Sequence, residues 1–396
     1  MENKDLLTRR VQQILPTKEG LEAIMAKRKI RLYMGFDPSK PNLHIGHLVG
    51  LLQLKAFQDA GHEVIFLIGD FTGMIGDPTD KGATRPKLTH EEVLKNAKTY
   101  KEQAGKFLRF TGDNPVKIMF NYDWNSKLNF PDVLDLASNL TVQQLIERDM
   151  FQVRIKEGKP IHLHEFLYPL IQGYDSVAMD VDLEIGGNDQ MFNLLMGRTL
   201  LKALKNKEKF CLTTKLLVDS AGKKVGKTTG NAVDLFGKPE DLFGGLMAVP
   251  DDAIENMLVC ATEIPMVKVA KLVDQIANDP MDVKKKLAWE ITKMCHDEQI
   301  ANAAQSHFET VVQGGKAPAT IGKTQIKPGT YTALELVINS AVLENISNSQ
   351  IKRLIQEGAI EINGKKITKL DEKVTIVGGE ILKFGKRNYI EISTNL

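Results

Sequence analysis

Between Ile30 and Val218 the chain alternates short apolar runs with stretches of helical period, and this limits the fold more than any other feature. The apolar runs are Ile30 to Phe36, His62 to Gly69, Val116 to Phe120, Val181 to Gly187 and Leu212 to Val218. The second is continuously apolar, as a strand covered on both faces must be. Helical spacing fills the gaps: from His44, from Thr89 to about Phe107, from Val133 to Leu140, from Thr141 to Lys156, from His162 to Asp180 and from Asp189 to about Leu204. Strands separated by helices pair in parallel, which makes this an α/β chain. Ligands of such sheets sit beyond the carboxyl ends of the strands, so loops 37–47, 70–85, 121–124, 186–190 and 219–231 are where chemistry is expected.

The flanks read differently. Residues 1 to 29 suggest two short amphipathic helices separated at Pro16. Beyond Asp241 only helical periodicity persists, through 250 to 312, which implies an all-α subdomain. Gln313 to Thr330 is rich in Gly, Pro, Thr and Lys and reads as a linker. The rest is a small α+β unit, with helices near Ala333–Leu343 and Ser347–Glu357 and turns at Asn363-Gly364 and Gly378-Gly379. The expected domains are 1–240, 241–325 and 331–396, a division that suits a chain of 396 residues. A net charge of +2 means that any polyanion site must be a local patch. Cys211, Cys260 and Cys295 lie far apart without a CxxC pair, which points to buried thiols rather than a disulfide frame or zinc site. The charged N-terminus lacks a signal-peptide core and no apolar stretch reaches membrane-spanning length, so a cytoplasmic location and no membrane partner are expected.

Three features carry chemistry. The first strand breaks at Asp37-Pro38 and feeds a helix with His44, Gly46 and His47 in its first turn. Unpaired N–H groups and the positive dipole end meet two imidazoles there, a suitable seat for a nucleotide phosphate. An HxxH alone is more often a capped or solvated pair; the strand–loop–helix context raises its weight. The second feature is the basic loop Gly222 to Asn231, GKKVGKTTGN. It is one residue short of a Walker A motif and follows the last strand rather than the first, so it is no P-loop. Lys224 and Lys227 on a glycine-hinged loop can nevertheless close on a phosphate. Third, Tyr168, Gln172 and Asp175 fall on one face of a helix, with Asp77, Asp189 and Gln190 at neighbouring strand ends. Such groups either satisfy one another in the core or line a cavity for a small polar ligand.

Taken together these pieces resemble a family. His44-Ile-Gly-His47 is similar to the HIGH signature of class I aminoacyl-tRNA synthetases, and Lys224-Val-Gly-Lys227-Thr228 to their KMSKS loop. The segments YMGFDP (33–38), GMIGDP (73–78), YPLIQGYD (168–175) and GGNDQ (186–190) resemble bacterial tyrosyl-tRNA synthetases in the same order. The tail, with IKRLIQEGAIEINGKKI and GGEILKFGKR, resembles a small RNA-binding module shared with a ribosomal small-subunit protein. The resemblance implies a Rossmann-like catalytic domain and a tyrosine–tRNA ligase, with ATP as co-substrate accompanied by Mg²⁺ and no metal cage in the protein. L-tyrosine, ATP and tRNA would be the partners of a homodimer, with no role for DNA. It further implies that His44, His47, Gly46, Lys224, Lys227 and Thr228 serve the nucleotide, with Lys81 and Arg85 as further cations. Tyr33 and Asp175 would take the phenolic hydroxyl, and Asp77, Tyr168 and Gln172 the ammonium, with Gln190 and Asp37 nearby. Gly187 and Asp189 would meet the ribose. In the tail Lys352, Arg353, Lys365, Lys366, Lys386 and Arg387 form the expected phosphate-facing set. The alternatives are the sister tryptophanyl enzyme, a small-molecule nucleotidyltransferase with the same turn, and a non-catalytic RNA-binding paralogue. Val225 and Gly226 depart from the Met and Ser of the loop signature but leave both lysines in place.

Overall fold

The structure is a computed structural model and describes residues 5–79, 87–228, 231–314, 322–340, 347–385 and 388–394. It divides into two compact units, Met1–Ala301 and Asn302–Leu396.

The first unit is built on a six-stranded sheet of β1 (Val11–Leu15), β2 (Arg31–Phe36), β3 (Glu63–Ile68), β4 (Lys117–Phe120), β5 (Leu183–Gly187) and β6 (Phe210–Thr214), in the order β1-β6-β5-β2-β3-β4. Strands β2 to β6 run parallel and β1 closes the edge antiparallel to β6. The order reverses at β2, which has β3 on one side and β5 on the other, and this opens a crevice at the β2 carboxyl end. Helix α1 (Lys18–Lys27) precedes β2, and α2 (Ile45–Asp59) starts in that crevice. The α3 (Leu163–Met179) and α4 (Met191–Lys205) helices flank β5 in sequence and pack on each other. Leu32, Tyr33 and Phe36 of β2 and Val64 to Ile68 of β3 are buried, as strands covered on both faces require. The segment after the sheet is helical at Pro239–Met247, Ile254–Cys260, Met266–Ile276 and Pro280–Cys295. The three cysteines are free and buried.

The N-terminus corrects the expectation of two helices. Val11 to Leu15 is a strand, because the run pairs antiparallel with the edge strand β6. Ahead of it Arg9 and Arg10 are buried. Their guanidinium groups donate to the carbonyls of Val259, Cys260 and Thr262 at the end of helix Ile254–Cys260, where unpaired carbonyls and the negative dipole end favour a cation. Two long helices expected between 89 and 156 are broken, into His90–Ala97 and Tyr100–Ala104 and into Val142–Ile146 and Asp149–Lys156.

In the second unit, five strands are ordered Lys365–Ile367, Ile360–Ile362, Ile381–Phe384, Asn388–Ser393, Gly322–Gln325. A separate pair joins Gly329–Thr332 to Lys373–Ile376. Part of the expected linker is therefore sheet: a Gly/Lys/Thr composition does not register that Gly322–Gln325 finds a partner strand more than sixty residues later. The turn at Asn363-Gly364 has both residues at positive φ, 50° and 80°, which suits the right-handed twist of a tight hairpin. Helices Ala333–Asn339 and Asn348–Gln356 supply Leu336, Ile351 and Ile355 to a core completed by Ile360, Leu382 and Ile392.

Candidate functional site

His44 is the N-cap of α2, and its Nδ1 accepts the Gly46 N–H at 3.1 Å. The His47 Nδ1 accepts the His44 N–H at 3.1 Å, and the two rings stack with centroids 3.8 Å apart. With both Nδ1 atoms used as acceptors, each neutral ring carries its proton on Nε2. Burial, helped by the neighbouring His44, holds the His47 pKa well below its ordinary value. The turn therefore offers neutral N–H donors at a helix N-terminus, an arrangement that binds phosphate oxygens. Space at 46 is tight, since a Cβ there would lie 3.0 Å from the His44 ring.

The basic loop is physically joined to this turn. Residues 217 to 225 form a hairpin in which Val225 N–H donates to the Leu217 carbonyl, and the Asp219 carboxylate accepts from the N–H groups of Ala221 and Lys223 at its tip. A two-residue ladder, β7 (Lys227–Thr228) with β8 (Asn231–Ala232), follows. The chain then runs beside the histidine turn: Ile45 N–H donates to the Val233 carbonyl and Leu235 N–H to the Leu43 carbonyl, both at 2.9 Å. Gly226 has φ +81°, and a Cβ there would overlap Ile45 Cγ2. This explains the glycine at 226 in this chain, since a side chain would push the loop off the helix start. Lys224 Nζ sits 2.6 Å from Asp189 Oδ2. Burial, with Asp77 adding, raises the Asp189 pKa, and Gly187 leaves room for that carboxylate: a Cβ there would be 2.5 Å from Asp189 Oδ1.

The polar face of α3 forms the second half. Tyr168 donates its hydroxyl to Asp37 Oδ2 at 2.9 Å, while Asp37 Oδ1 accepts from Thr72 Oγ1 at 2.6 Å. Asp175 is buried and accepts three N–H groups, from Trp124 Nε1 at 2.8 Å, Asn125 Nδ2 at 3.0 Å and Asn121 Nδ2 at 3.1 Å. Burial pushes its carboxyl up to about 8 against the pull of those donors. Tyr33 is fully buried with its hydroxyl 2.9 Å from Ser176 Oγ, and burial together with nearby Glu184 and Asp175 pushes its pKa well up. Gln172 Nε2 donates to Glu184 Oε1 at 3.1 Å, whereas its own Oε1 is buried without a partner among the described residues. Asp77 accepts from Gln190 Nε2 at 2.7 Å and from Thr79 N–H at 2.9 Å.

The structure thus joins Tyr168 to Asp37, Asp77 to Gln190 and Lys224 to Asp189, while Tyr33 and Asp175 have separate partners. Lys81, Arg85, Lys386, Arg387 and the side chains of Lys227 and Thr228 lie outside the described residues. Sequence reasoning did not single out Asn121, Trp124 and Asn125 as a clamp on Asp175, nor the cluster of Ser176, Glu184 and Lys209. Arg148 also escaped it: the guanidinium lies 4.5 Å from the Phe192 ring centroid and donates to Thr79 Oγ1. One available signal was a charge set in or beside each of two apolar strands, Glu184 and Lys209, which only the β5–β6 register brings together.

A family model described as tRNA synthetases class I (W and Y) matches residues 25–313. The chain belongs to this family. A second model, described as S4 domain, matches residues 340–381. The chain is similar to the tyrosine–tRNA ligase of Thermotoga maritima, with 40% identity over 99% of this chain and 97% of that one. A tyrosine–tRNA ligase of Photobacterium profundum is 41% identical over 98% of this chain and 97% of its own. Among solved structures, a C-terminally truncated mitochondrial tyrosyl-tRNA synthetase of Coccidioides posadasii matches with TM-score 0.63 and 25% identity, covering 76% of this chain and 90% of that one. The Ile45–Val233 and Leu43–Leu235 hydrogen bonds hold the segment after the lysine loop against the histidine turn.

Proposed function

We propose that the chain activates L-tyrosine with ATP to tyrosyl-adenylate and pyrophosphate and then transfers the tyrosyl group to the 3′ end of its tRNA. The observation that carries this reading is the joining of the two signature elements: the strand after the lysine loop is bonded to the turn that displays His44 and His47. A carboxylate attacking the α-phosphorus needs no general base, so the site has to align two substrates and stabilise charge building on phosphate oxygens. Neutral Nε2–H donors on His44 and His47 and the lysines at 224 and 227 fit that task. Lys224 reaches Asp189, and a ribose hydroxyl taking Asp189 would release the lysine toward phosphate. Lys81 and Arg85 remain our further candidates for the phosphates.

The amino acid would lie along α3. Its phenolic hydroxyl donates to Asp175, with Tyr33 as the second group at that end. Asp77, Tyr168 and Gln172 hold the ammonium, with Gln190 and Asp37 tying these side chains together. Discrimination against phenylalanine follows from leaving Asp175 without that donor. Enzymes of this type are the known example of such discrimination, at ~10⁵ for tyrosine over phenylalanine, a magnitude taken from them and not from this geometry. The rim carboxylates are already engaged, Asp189 by Lys224, Asp77 by Gln190, and Asp37 by Thr72 and Tyr168. That donor set suits Mg²⁺ carried in on the phosphates rather than held by the protein.

The C-terminal unit would bind tRNA through Lys352, Arg353, Lys365 and Lys366, all exposed, with Lys386 and Arg387 from the same module. The helical segment 241–325 would provide a second tRNA surface. A homodimer is favoured by apolar side chains exposed along one stretch, from Phe130 (74% exposed) and Leu134 through Val142, Val153 and Ile155 to Leu163 (76%). No helix among the described residues is long and apolar enough to cross a membrane, and we place the enzyme in the cytoplasm. Charging of total tRNA with labelled tyrosine tests the reading: stable tyrosyl-tRNA is expected, and its absence with active, folded protein would overturn it.

A further inference from the structure

We infer that Glu184 and Lys209, a buried ion pair beneath the amino-acid pocket, are positioning residues that fix the Gln172 amide with its oxygen available to the substrate ammonium group. The inference rests on the tyrosine-activation reading above. Glu184 is 1% exposed and Lys209 0%. Glu184 uses both carboxylate oxygens: Oε1 accepts from Gln172 Nε2 at 3.1 Å, and Oε2 accepts from Lys209 Nζ and, at 3.4 Å, from Ser176 Oγ. A carboxylate only accepts, so the NH₂ side of the Gln172 amide has to face it. The opposite side, Oε1, is consequently an acceptor, and it is buried with no partner among the described residues. An unpaired buried acceptor favours a ligand that brings a donor to it, and an ammonium group is the strongest such donor the substrate carries.

Lys209 is needed for this orientation to be unique. Without Lys209 the Glu184 Oε2 would lose its cationic donor, and the carboxylate that faces the Gln172 amide would no longer be held in one place. The same hub reaches the other end of the pocket, because Lys209 Nζ also lies 2.8 Å from Ser176 Oγ, which is bonded to the Tyr33 hydroxyl at 2.9 Å. The cluster is closely fitted. A Cβ on Gly197 would overlap both Lys209 Nζ and Ser176 Oγ, so α4 leaves space there for the pair.

The test compares two ligands by calorimetry on the full chain. Tyramine keeps the phenol and the ammonium group; 3-(4-hydroxyphenyl)propionate keeps the phenol and the carboxylate but has no ammonium group. Glu184→Gln replaces an obligate acceptor by a group that can also donate. It should weaken tyramine by about 10- to 100-fold while changing the propionate by less than about twofold. Equal weakening of both ligands would mean a merely structural role and overturn the inference, as would no change in either or failure of the wild type to bind tyramine. If Glu184→Gln does not fold, the double variant Glu184→Gln/Lys209→Met, which removes both charges, carries the same comparison with the same expected ratio. Tyrosine-dependent pyrophosphate exchange by the wild type is measured alongside. Its absence overturns the functional reading alone, whereas its presence with equal weakening overturns this inference alone.

Discussion

Asp175 offers a prediction whose size can be worked from the structure. Its carboxylate accepts from Asn121, Trp124 and Asn125 and is to accept a fourth hydrogen bond, from the substrate phenol. Asparagine is isosteric but turns one acceptor oxygen into a donor that faces other donors. Losing a hydrogen bond to a charged acceptor costs about 1.5–3 kcal/mol, so Asp175→Asn should weaken tyrosine by roughly 10- to 150-fold at about pH 9, where the wild-type carboxyl is mostly ionised. The pH dependence gives an independent reading. With burial holding the carboxyl at about 8, the accepting form is the minority at neutral pH. For a group titrating there, the ionised fraction grows from about 3% at pH 6.5 to about three quarters at pH 8.5, so tyrosine affinity should rise roughly twentyfold across that interval. Stability moves the other way. The folded pKa lies above the ordinary 3.8, so the folded state keeps a proton that the unfolded chain has lost, and stability falls as pH rises from there to about 8. Fluorescence titration of tyrosine binding on wild type and Asp175→Asn measures both binding effects. A flat wild-type profile would refute the protonation argument, and wild-type affinity in the variant would refute the pocket assignment.

Further expectations concern other parts of the chain. Gly226→Ala should displace the lysine loop from Ile45 and reduce pyrophosphate exchange about 100-fold, the scale of losing one electrostatic group at a reacting centre. Calorimetric tyrosine affinity should stay within about twofold, since the amino-acid half of the site is elsewhere; an equal loss in both would mean global damage. A stop after Gly314, which removes the C-terminal sheet without leaving strand Gly322–Gln325 unpaired, should spare adenylate formation and cripple tRNA charging. Equal loss of both steps would assign the tail a stabilising role. On the proposed homodimer, Phe130→Asp together with Leu163→Asp should shift sedimentation to monomer; a monomeric wild type would contradict the dimer, and an unchanged dimer in the variant would place the interface elsewhere.

The parallel sheet was legible in the sequence because it rests on local grammar. Continuous apolar runs mark β2 and β3, and the break at Asp37-Pro38 before His44 marks a strand–loop–helix crossing. What escaped depends on pairing over long distances. Val11 to Leu15 is a strand only because the β6 edge is open to it, and Gly322 to Gln325 only because Asn388–Ser393 lies beside it. The three amide and indole donors on Asp175 come from a short helix and its flanks, joined by the fold to α3 about fifty residues away. Likewise the pairing of Lys224 with Asp189 joins two stretches that the sequence treated as separate roles, phosphate and ribose. Gly226 shows the reverse case. It departs from the loop signature while leaving both lysines in place, and the close approach of Ile45 is what favours glycine there.

The central claim is that this site forms tyrosyl-adenylate, and ATP–pyrophosphate exchange measured with each amino acid in turn tests it most directly. L-tyrosine should support exchange, with L-phenylalanine and L-tryptophan at background. Exchange with tryptophan instead, or no exchange with any amino acid, would contradict it.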